Sequence, residues 1–128
     1  DFADDIQKSM TTALEKTKDG KKGILNICLS YGGRDELVRA YKKISQAGIT
    51  ADQITEDIIS QNIDSAGMLD PDMIIRTSGE QRLSGFLTWQ SVYSEFYFPE
   101  TDWPDFSQAD LDLAIEEFDK RHRRFGAN

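Results

Sequence analysis

The chain of 128 residues is about one domain, large enough to bury a core, with 38% hydrophobic and 30% charged residues and a formal net charge of −8. Fifteen Lys and Arg face twenty-three Asp and Glu, and four of those cations, Lys120, Arg121, Arg123 and Arg124, fall in the last nine residues, leaving residues 1–119 with a net −12. So acidic a body excludes broad nucleic-acid binding, which needs a basic face; no apolar run approaches the roughly 20 residues that span a bilayer, no signal-peptide pattern opens the sequence, and a soluble protein is expected.

In chain order, Ile6, Met10, Ala13 and Leu14 share one helical face, and Asp19-Gly20 ends that first helix. The run from Gly23 to Tyr31 predicts a strand, and Cys28 within it is expected as a core thiol. A single cysteine provides no disulfide framework, which fits a reducing compartment. Gly32-Gly33 is a tight turn into a helix from Arg34 to Gln46, with Leu37, Val38, Tyr41 and Ile44 as its apolar stripe and Gly48 as its stop. Thr50 and Gln53 form a capping box for a short helix bearing Ile54 and Ile58. A polar loop from Ser60 to Leu69 then leads through Asp70-Pro71 into a strand from Met73 to Arg76. Phe86, Leu87, Trp89, Gln90 and Tyr93 predict a short helix, and Glu95 to Phe98 a strand or extended segment. Pro99 and Pro104 bracket a loop, and Ser107 caps a last helix with Leu111, Ala114, Ile115 and Phe118 on one face. Strands that read as nearly continuous apolar runs, separated by helices, predict a single α/β domain over residues 1–128 with a mostly parallel sheet flanked by helices.

The charge distribution picks out one segment. Between Ile44 and Asp119 there are sixteen Asp or Glu but only two Lys or Arg, and those two, Arg76 and Arg82, stand in the run Arg76-Thr77-Ser78-Gly79-Glu80-Gln81-Arg82-Leu83-Ser84. Guanidinium groups give bidentate, charge-assisted hydrogen bonds to phosphate oxygens, so two of them beside hydroxyls and a glycine suit a diphosphate. Pairing with the surrounding carboxylates accounts for the charges equally well. This run and Tyr31-Gly32-Gly33-Arg34 each follow the carboxyl end of a predicted strand, the ligand side of an open α/β sheet. The amides of the Gly-Gly turn could receive a phosphate or could serve an ordinary strand-to-helix turn.

The segment from Asp70 to Phe98, with Ile75-Arg76-Thr77-Ser78-Gly79-Glu80, Arg82-Leu83-Ser84, Phe86-Leu87, Trp89-Gln90 and Tyr93-Ser94-Glu95-Phe96-Tyr97-Phe98, closely resembles the signature of cis-prenyltransferases, the undecaprenyl diphosphate synthase family. Asn26 to Arg34 is similar to a second family block, N-I-A-L-N-Y-G-G-R, while Trp103-Pro104-Asp105-Phe106 and the ending Arg124-Phe125-Gly126, an R-x-G, match as well. The resemblance therefore spans essentially the whole chain. It implies the C-terminal part of the family fold and a transferase that condenses isopentenyl diphosphate with an allylic prenyl diphosphate to give a long-chain polyprenyl diphosphate with cis double bonds. It further implies that Arg76, Arg82 and Ser84, with Leu83 alongside, bind the isopentenyl diphosphate, that Glu80 supports them, and that Glu95 helps hold Mg²⁺. Arg124 and Gly126 are candidates for a second phosphate contact, often made across a dimer interface. A basic helix end that favours the C-terminal dipole is the other reading of that tail. A homodimer in the cytoplasm is implied, at the membrane surface through its lipid product, with no nucleic acid involved. His122 is expected to be solvent-exposed, without a role.

The departures from the family pattern are Gln81 for histidine, Gly85 for asparagine and Ser30 for asparagine. A larger one is that the family's first block, M-D-G-N-G-R-W, with the main magnesium aspartate and the allylic phosphate loop, does not occur in the chain. The expectation is a C-terminal fragment that holds the isopentenyl diphosphate half-site, contains no catalytic residue of its own and is inactive alone. The alternative is a non-catalytic cis-prenyltransferase-like partner subunit that acts by protein interaction, which the presence of Arg76, Arg82, Ser84 and Glu95 disfavours. A generic α/β phosphate-binding module would explain the glycine turns but not Trp89 to Phe98.

Overall fold

The computed structural model describes residues 2–121. Four α-helices form, α1 (Asp4–Thr17), α2 (Gly33–Gln46), α3 (Glu56–Asn62) and α4 (Gln108–Asp119), with two strands, β1 (Met73–Ile75) and β2 (Glu95–Tyr97), between α3 and α4. The strands are parallel and pair Met73 with Glu95, Ile74 with Phe96 and Ile75 with Tyr97. The ladder opens with the Glu95 N–H on the Asp72 carbonyl at 2.9 Å and continues past β1 with the Arg76 N–H on the Tyr97 carbonyl at 3.0 Å. Parallel neighbours require a long crossover; here residues 76–94 supply it, and they carry the arginine run. Among the described residues no helix is long and apolar enough to cross a membrane.

The helix signals translate into structure where they are local. Ser107 caps α4 by accepting the Asp110 N–H, and Asp110 returns to the Ser107 N–H at 2.8 Å, a complete capping box. The Thr50–Gln53 box also forms, yet it closes a 3₁₀ turn, Ala51–Gln53. The helix beyond it starts anew at Glu56, capped by the Thr55 hydroxyl on the Ile58 N–H, which leaves Ile54 in the link between them.

Three expectations are corrected. No strand forms over Gly23–Tyr31, because strand order comes from a lateral ladder and none of the described residues offers one there. Ile24, Leu25 and Ile27 are 88%, 85% and 71% exposed, and Cys28 is exposed instead of being a core thiol. The helix expected over Phe86–Tyr93 is a series of turns, since Ser84, Gly85 and Leu87 have φ of 49°, 81° and 46°, all left-handed, which a right-handed helix cannot contain. The buried face of α2 is Gly33, Glu36, Ala40 and Ile44, while Val38 and Tyr41 of the expected stripe are exposed. Small residues at 33 and 40 let neighbouring backbone come close, which turns the helix onto that face.

The fully buried carboxylate of Glu36 organises this core. One oxygen accepts the N–H groups of Asp64 and Ser65 at 2.9 and 3.3 Å, and the other accepts the Tyr31 hydroxyl and Gln90 Nε2, the latter at 3.1 Å. Gln90 Nε2 also donates to Ser65 Oγ at 2.6 Å. An isolated buried carboxylate would cost many kcal/mol, so this packing depends on the donors being in place. The Tyr31 phenol is pushed up to about 12 by burial first and then by its bond to the Glu36 carboxylate. Trp89 Nε1 on Ser60 Oγ at 3.0 Å ties the same turn segment to α3.

Glu36→Ala orphans donors from three segments and is expected to cost about 3 kcal/mol or more in urea unfolding, by the net worth of hydrogen bonds to a charged group. A second outcome concerns alkaline pH. Because the folded Tyr31 pKa lies above its unfolded value, its contribution is complete below pH 10 and is lost as pH rises toward 12. Ultraviolet titration should find one tyrosine ionising late, and Tyr31→Phe should remove both that phase and the matching loss of stability.

Candidate functional site

The arginine run leaves β1 at Ile75 and is clamped by its backbone. The Ser78 and Gly79 N–H groups donate to the carbonyls of Thr101 and Pro99, each at 2.9 Å. Those two amides are therefore committed within the protein. Ser78 and Gly79 have φ of 68° and 65°, and the pair Ser84-Gly85 repeats the pattern at 49° and 81°. Two consecutive left-handed residues at each end reverse the chain sharply, so that residues 82–84 fold back on Arg76. The half-buried Arg76 guanidinium uses Nη1 for both the Arg82 carbonyl and Ser84 Oγ, the latter at 2.8 Å. Arg82 pairs with Glu80, the two side chains being 61% and 43% exposed. Exposed pairs of this kind are worth about 0–1 kcal/mol, so a more highly charged anion can replace Glu80 at little cost. Leu83 accepts the Phe86 N–H at 2.9 Å and so shapes the turn after Ser84.

The far side of this loop rests on the start of α2. The Gly33 N–H donates to the Gly85 carbonyl at 2.6 Å, so that amide of the Gly-Gly turn holds the arginine loop and is not open to a phosphate. A Cβ at position 33 would come within 2.8 Å of the Gly85 oxygen and closer still to the Thr88 hydroxyl, a contact only glycine tolerates. Tyr31 meets Phe86 edge-on at 5.9 Å, and Gln90 reaches Glu36, so three contacts seat residues 85–90. Glu36 and Gln90 were not among the predicted site residues; the signal was the spacing Gly33, Glu36, Ala40, Ile44, a carboxylate on a face otherwise made of small and apolar groups.

Glu95 lies apart. Its register opposite Met73 puts it at the start of the ladder, three residues back from Arg76, or about 10 Å at strand rise. Oε2 accepts Arg121 Nη1 at 2.9 Å, and the same nitrogen donates to the Phe96 carbonyl at 2.8 Å. Arg121 was likewise missed, hidden among the basic residues at the end of α4. Among the described residues no group of three or more His, Cys, Asp or Glu gathers to hold a metal ion. Magnesium commonly takes one or two carboxylates and completes its shell with substrate phosphates and water. Glu95 Oε1, with no hydrogen bond among the described residues, fits as one donor of such a shared shell. The predicted positions Arg124 and Gly126, with His122, lie outside the described residues.

The backbone explains two departures in the sequence. Ser30 has φ of 52° and Gly85 of 81°, and both stand where the resembled family has asparagine, the side chain other than glycine that best accepts left-handed backbone. Gly85 meets the same demand by having no Cβ, and Ser30 meets it under strain.

The comparisons with known proteins agree along the chain. A prenyltransferase family model, described as undecaprenyl diphosphate synthase, matches residues 1–126. An isoprenyl transferase of Clostridium perfringens is 47% identical over 129 residues, covering 98% of this chain and 51% of that protein. The crystal structure of a probable undecaprenyl diphosphate synthase from Campylobacter jejuni superposes with a TM-score of 0.81 at 36% identity, over 98% of this chain and 58% of that one. Lavandulyl diphosphate synthase from Lavandula x intermedia, in complex with dimethylallyl diphosphate, gives a TM-score of 0.87 at 35% identity, over 94% of this chain and 54% of that one. The chain thus spans about half the length of the curated relatives it matches.

Ser30→Asn is expected to raise unfolding stability by about 0.5 kcal/mol, and Gly85→Asn to change it little, whereas Gly85→Val should cost about 1–2 kcal/mol, the penalty of a branched side chain in left-handed backbone. Urea denaturation of the three variants checks the order.

Proposed function

The chain belongs to the undecaprenyl diphosphate synthase family of prenyltransferases, and on that premise we propose that it supplies the isopentenyl diphosphate half-site for cis-prenyl chain elongation. In that reaction the double bond of isopentenyl diphosphate attacks the allylic carbon of a prenyl diphosphate. The allylic carbon–oxygen bond breaks, diphosphate leaves and a proton is lost from the isopentenyl unit. The observation that carries the reading is Arg76, bound to Ser84 Oγ and the Arg82 carbonyl in a loop whose Ser78 and Gly79 amides are already committed. The substrate's diphosphate would take Ser84 and the two guanidiniums as its ligands, with Glu80 released from Arg82 as the anion enters. Preorganised cations of this kind hold the nucleophilic substrate still, which is where such a half-site lowers the barrier.

The allylic substrate would be a prenyl diphosphate, the class to which the ligand of the lavandulyl enzyme belongs, and its site would be completed by residues that the relatives carry in their other half. Magnesium, when bound, supplies charge neutralisation on the leaving diphosphate, and Glu95 is the residue of this chain that would hold it. A homodimer in the cytoplasm, touching the membrane through a lipid product, completes the proposal.

Two measurements test it. Calorimetric titration of isopentenyl diphosphate into this chain should show binding that Arg76→Ala and Arg82→Ala each weaken by about tenfold or more, as expected for loss of a charge-assisted pair; unchanged affinity in both would remove the arginines from the site. Radiolabelled isopentenyl incorporation by the 128-residue chain alone should yield no polyprenyl product, and product above background would refute the half-site reading.

A further inference from the structure

The loop that carries Ser84 is seated on the first turn of α2, and that turn contains a third cation, Arg34. We propose that Arg34 binds the same diphosphate as Arg76 and Ser84, which rests on the reading of that loop as a diphosphate site. The backbone puts it there. Gly33 is hydrogen-bonded to Gly85 at 2.6 Å and packed so closely on residues 85–88 that it has no room for a Cβ. Arg34 is the next residue, one peptide step of about 3.8 Å further, and Ser84 is the residue before Gly85 in the facing turn. With glycine at positions 32 and 33, Arg34 bears the first side chain at this edge of the helix.

Its chemical state points the same way. Arg34 is exposed and makes no ion pair or hydrogen bond among the described residues. The other cations on α2 show the contrast: Arg39 binds Asp35 and Asp64, Lys43 binds Asp64 and the Asn62 carbonyl, and Lys42 alone is likewise unpaired. In a body with a net −12 over residues 1–119, a guanidinium in the first turn of a helix, where the dipole disfavours a cation, gains nothing from its neighbours. An anion at Ser84 would reverse that balance, offering both a charge partner and the bidentate geometry a guanidinium prefers. Three cations around one diphosphate also match its charge better than two.

The experiment titrates inorganic diphosphate and isopentenyl diphosphate separately into the 128-residue chain and into Arg34→Ala, Arg34→Lys, Lys42→Ala and Arg76→Ala. Circular dichroism of each variant verifies the fold. Arg34→Ala should weaken both ligands by about tenfold, as for loss of one charge-assisted contact, because the contact is to the diphosphate they share. Arg34→Lys should recover part of the loss, and Lys42→Ala, an unpaired cation further along the same helix, should stay within about twofold if the effect is local and not a matter of net charge. Equal losses in Arg34→Ala and Lys42→Ala would overturn the inference in favour of general electrostatics. Loss in Arg76→Ala with none in Arg34→Ala would sink Arg34 and spare the site, and a chain that binds neither ligand would remove both.

Discussion

The structure turns on one buried carboxylate. Glu36 has no exposure and is made tolerable only because donors from three other segments converge on it: the Tyr31 hydroxyl, the amides of Asp64 and Ser65, and the Gln90 side chain. Asp64 and Gln90 lie 28 and 54 residues from Glu36 in sequence. The described hydrophobic core is small, with Ala40, Ile44, Ile63, Ile74 and Ala114 as its buried apolar members. A nonpolar residue at position 36 would pack without needing a partner, but it would not specify which segments meet there. A carboxylate does, since any arrangement that omits a donor leaves a charge or an N–H unsatisfied.

That specificity extends to the arginine loop. Tyr31 and Gln90, both held by Glu36, flank residues 85–88 in space, and the Gly33–Gly85 bond closes the gap between them. Four left-handed residues, Ser78, Gly79, Ser84 and Gly85, give the loop its two reversals. Backbone of this kind persists only where surroundings over-determine it, and the Glu36 cluster on one side with the carbonyls of Pro99 and Thr101 on the other does so. Within this backbone the two arginines differ: Arg82 is exposed and loosely paired, while Arg76 is placed by Ser84 and the Arg82 carbonyl.

What could be read from the sequence divides along physical lines. The α2 boundaries and the Thr50–Gln53 and Ser107 capping boxes were legible because each depends on residues within a few positions of one another, although the Thr50 box closes a 3₁₀ turn and not the helix expected after it. The Gly23–Tyr31 strand was misread because its apolar run describes what the segment can pair with, and pairing is decided by another part of a sheet. The turns over residues 84–93 were misread as helix because apolar spacing is blind to φ, although Ser84-Gly85 held a hint in glycine. Arg76, Arg82 and Ser84 could be grouped by charge isolation and resemblance alone. Their mutual geometry, the role of Gly33 as a packing residue and the burial of Glu36 required the fold.

Glu95 shows why residue type and position do not suffice to assign chemistry. A carboxylate in the matching place of the family pattern reads as a magnesium ligand, yet here one of its oxygens belongs to Arg121, which also grips the Phe96 carbonyl and so joins α4 to β2. Such a partner need not exclude the metal role. An arginine on one oxygen fixes the direction of the other, as outer-shell partners do for metal ligands generally. The same bond lowers the charge the carboxylate can offer an ion, so Glu95 by itself makes a weak site. Under the proposed function it would become adequate only where the leaving diphosphate brings further oxygens to the metal. Metal and that diphosphate would then bind together, each supplying ligands or charge that the protein alone leaves incomplete.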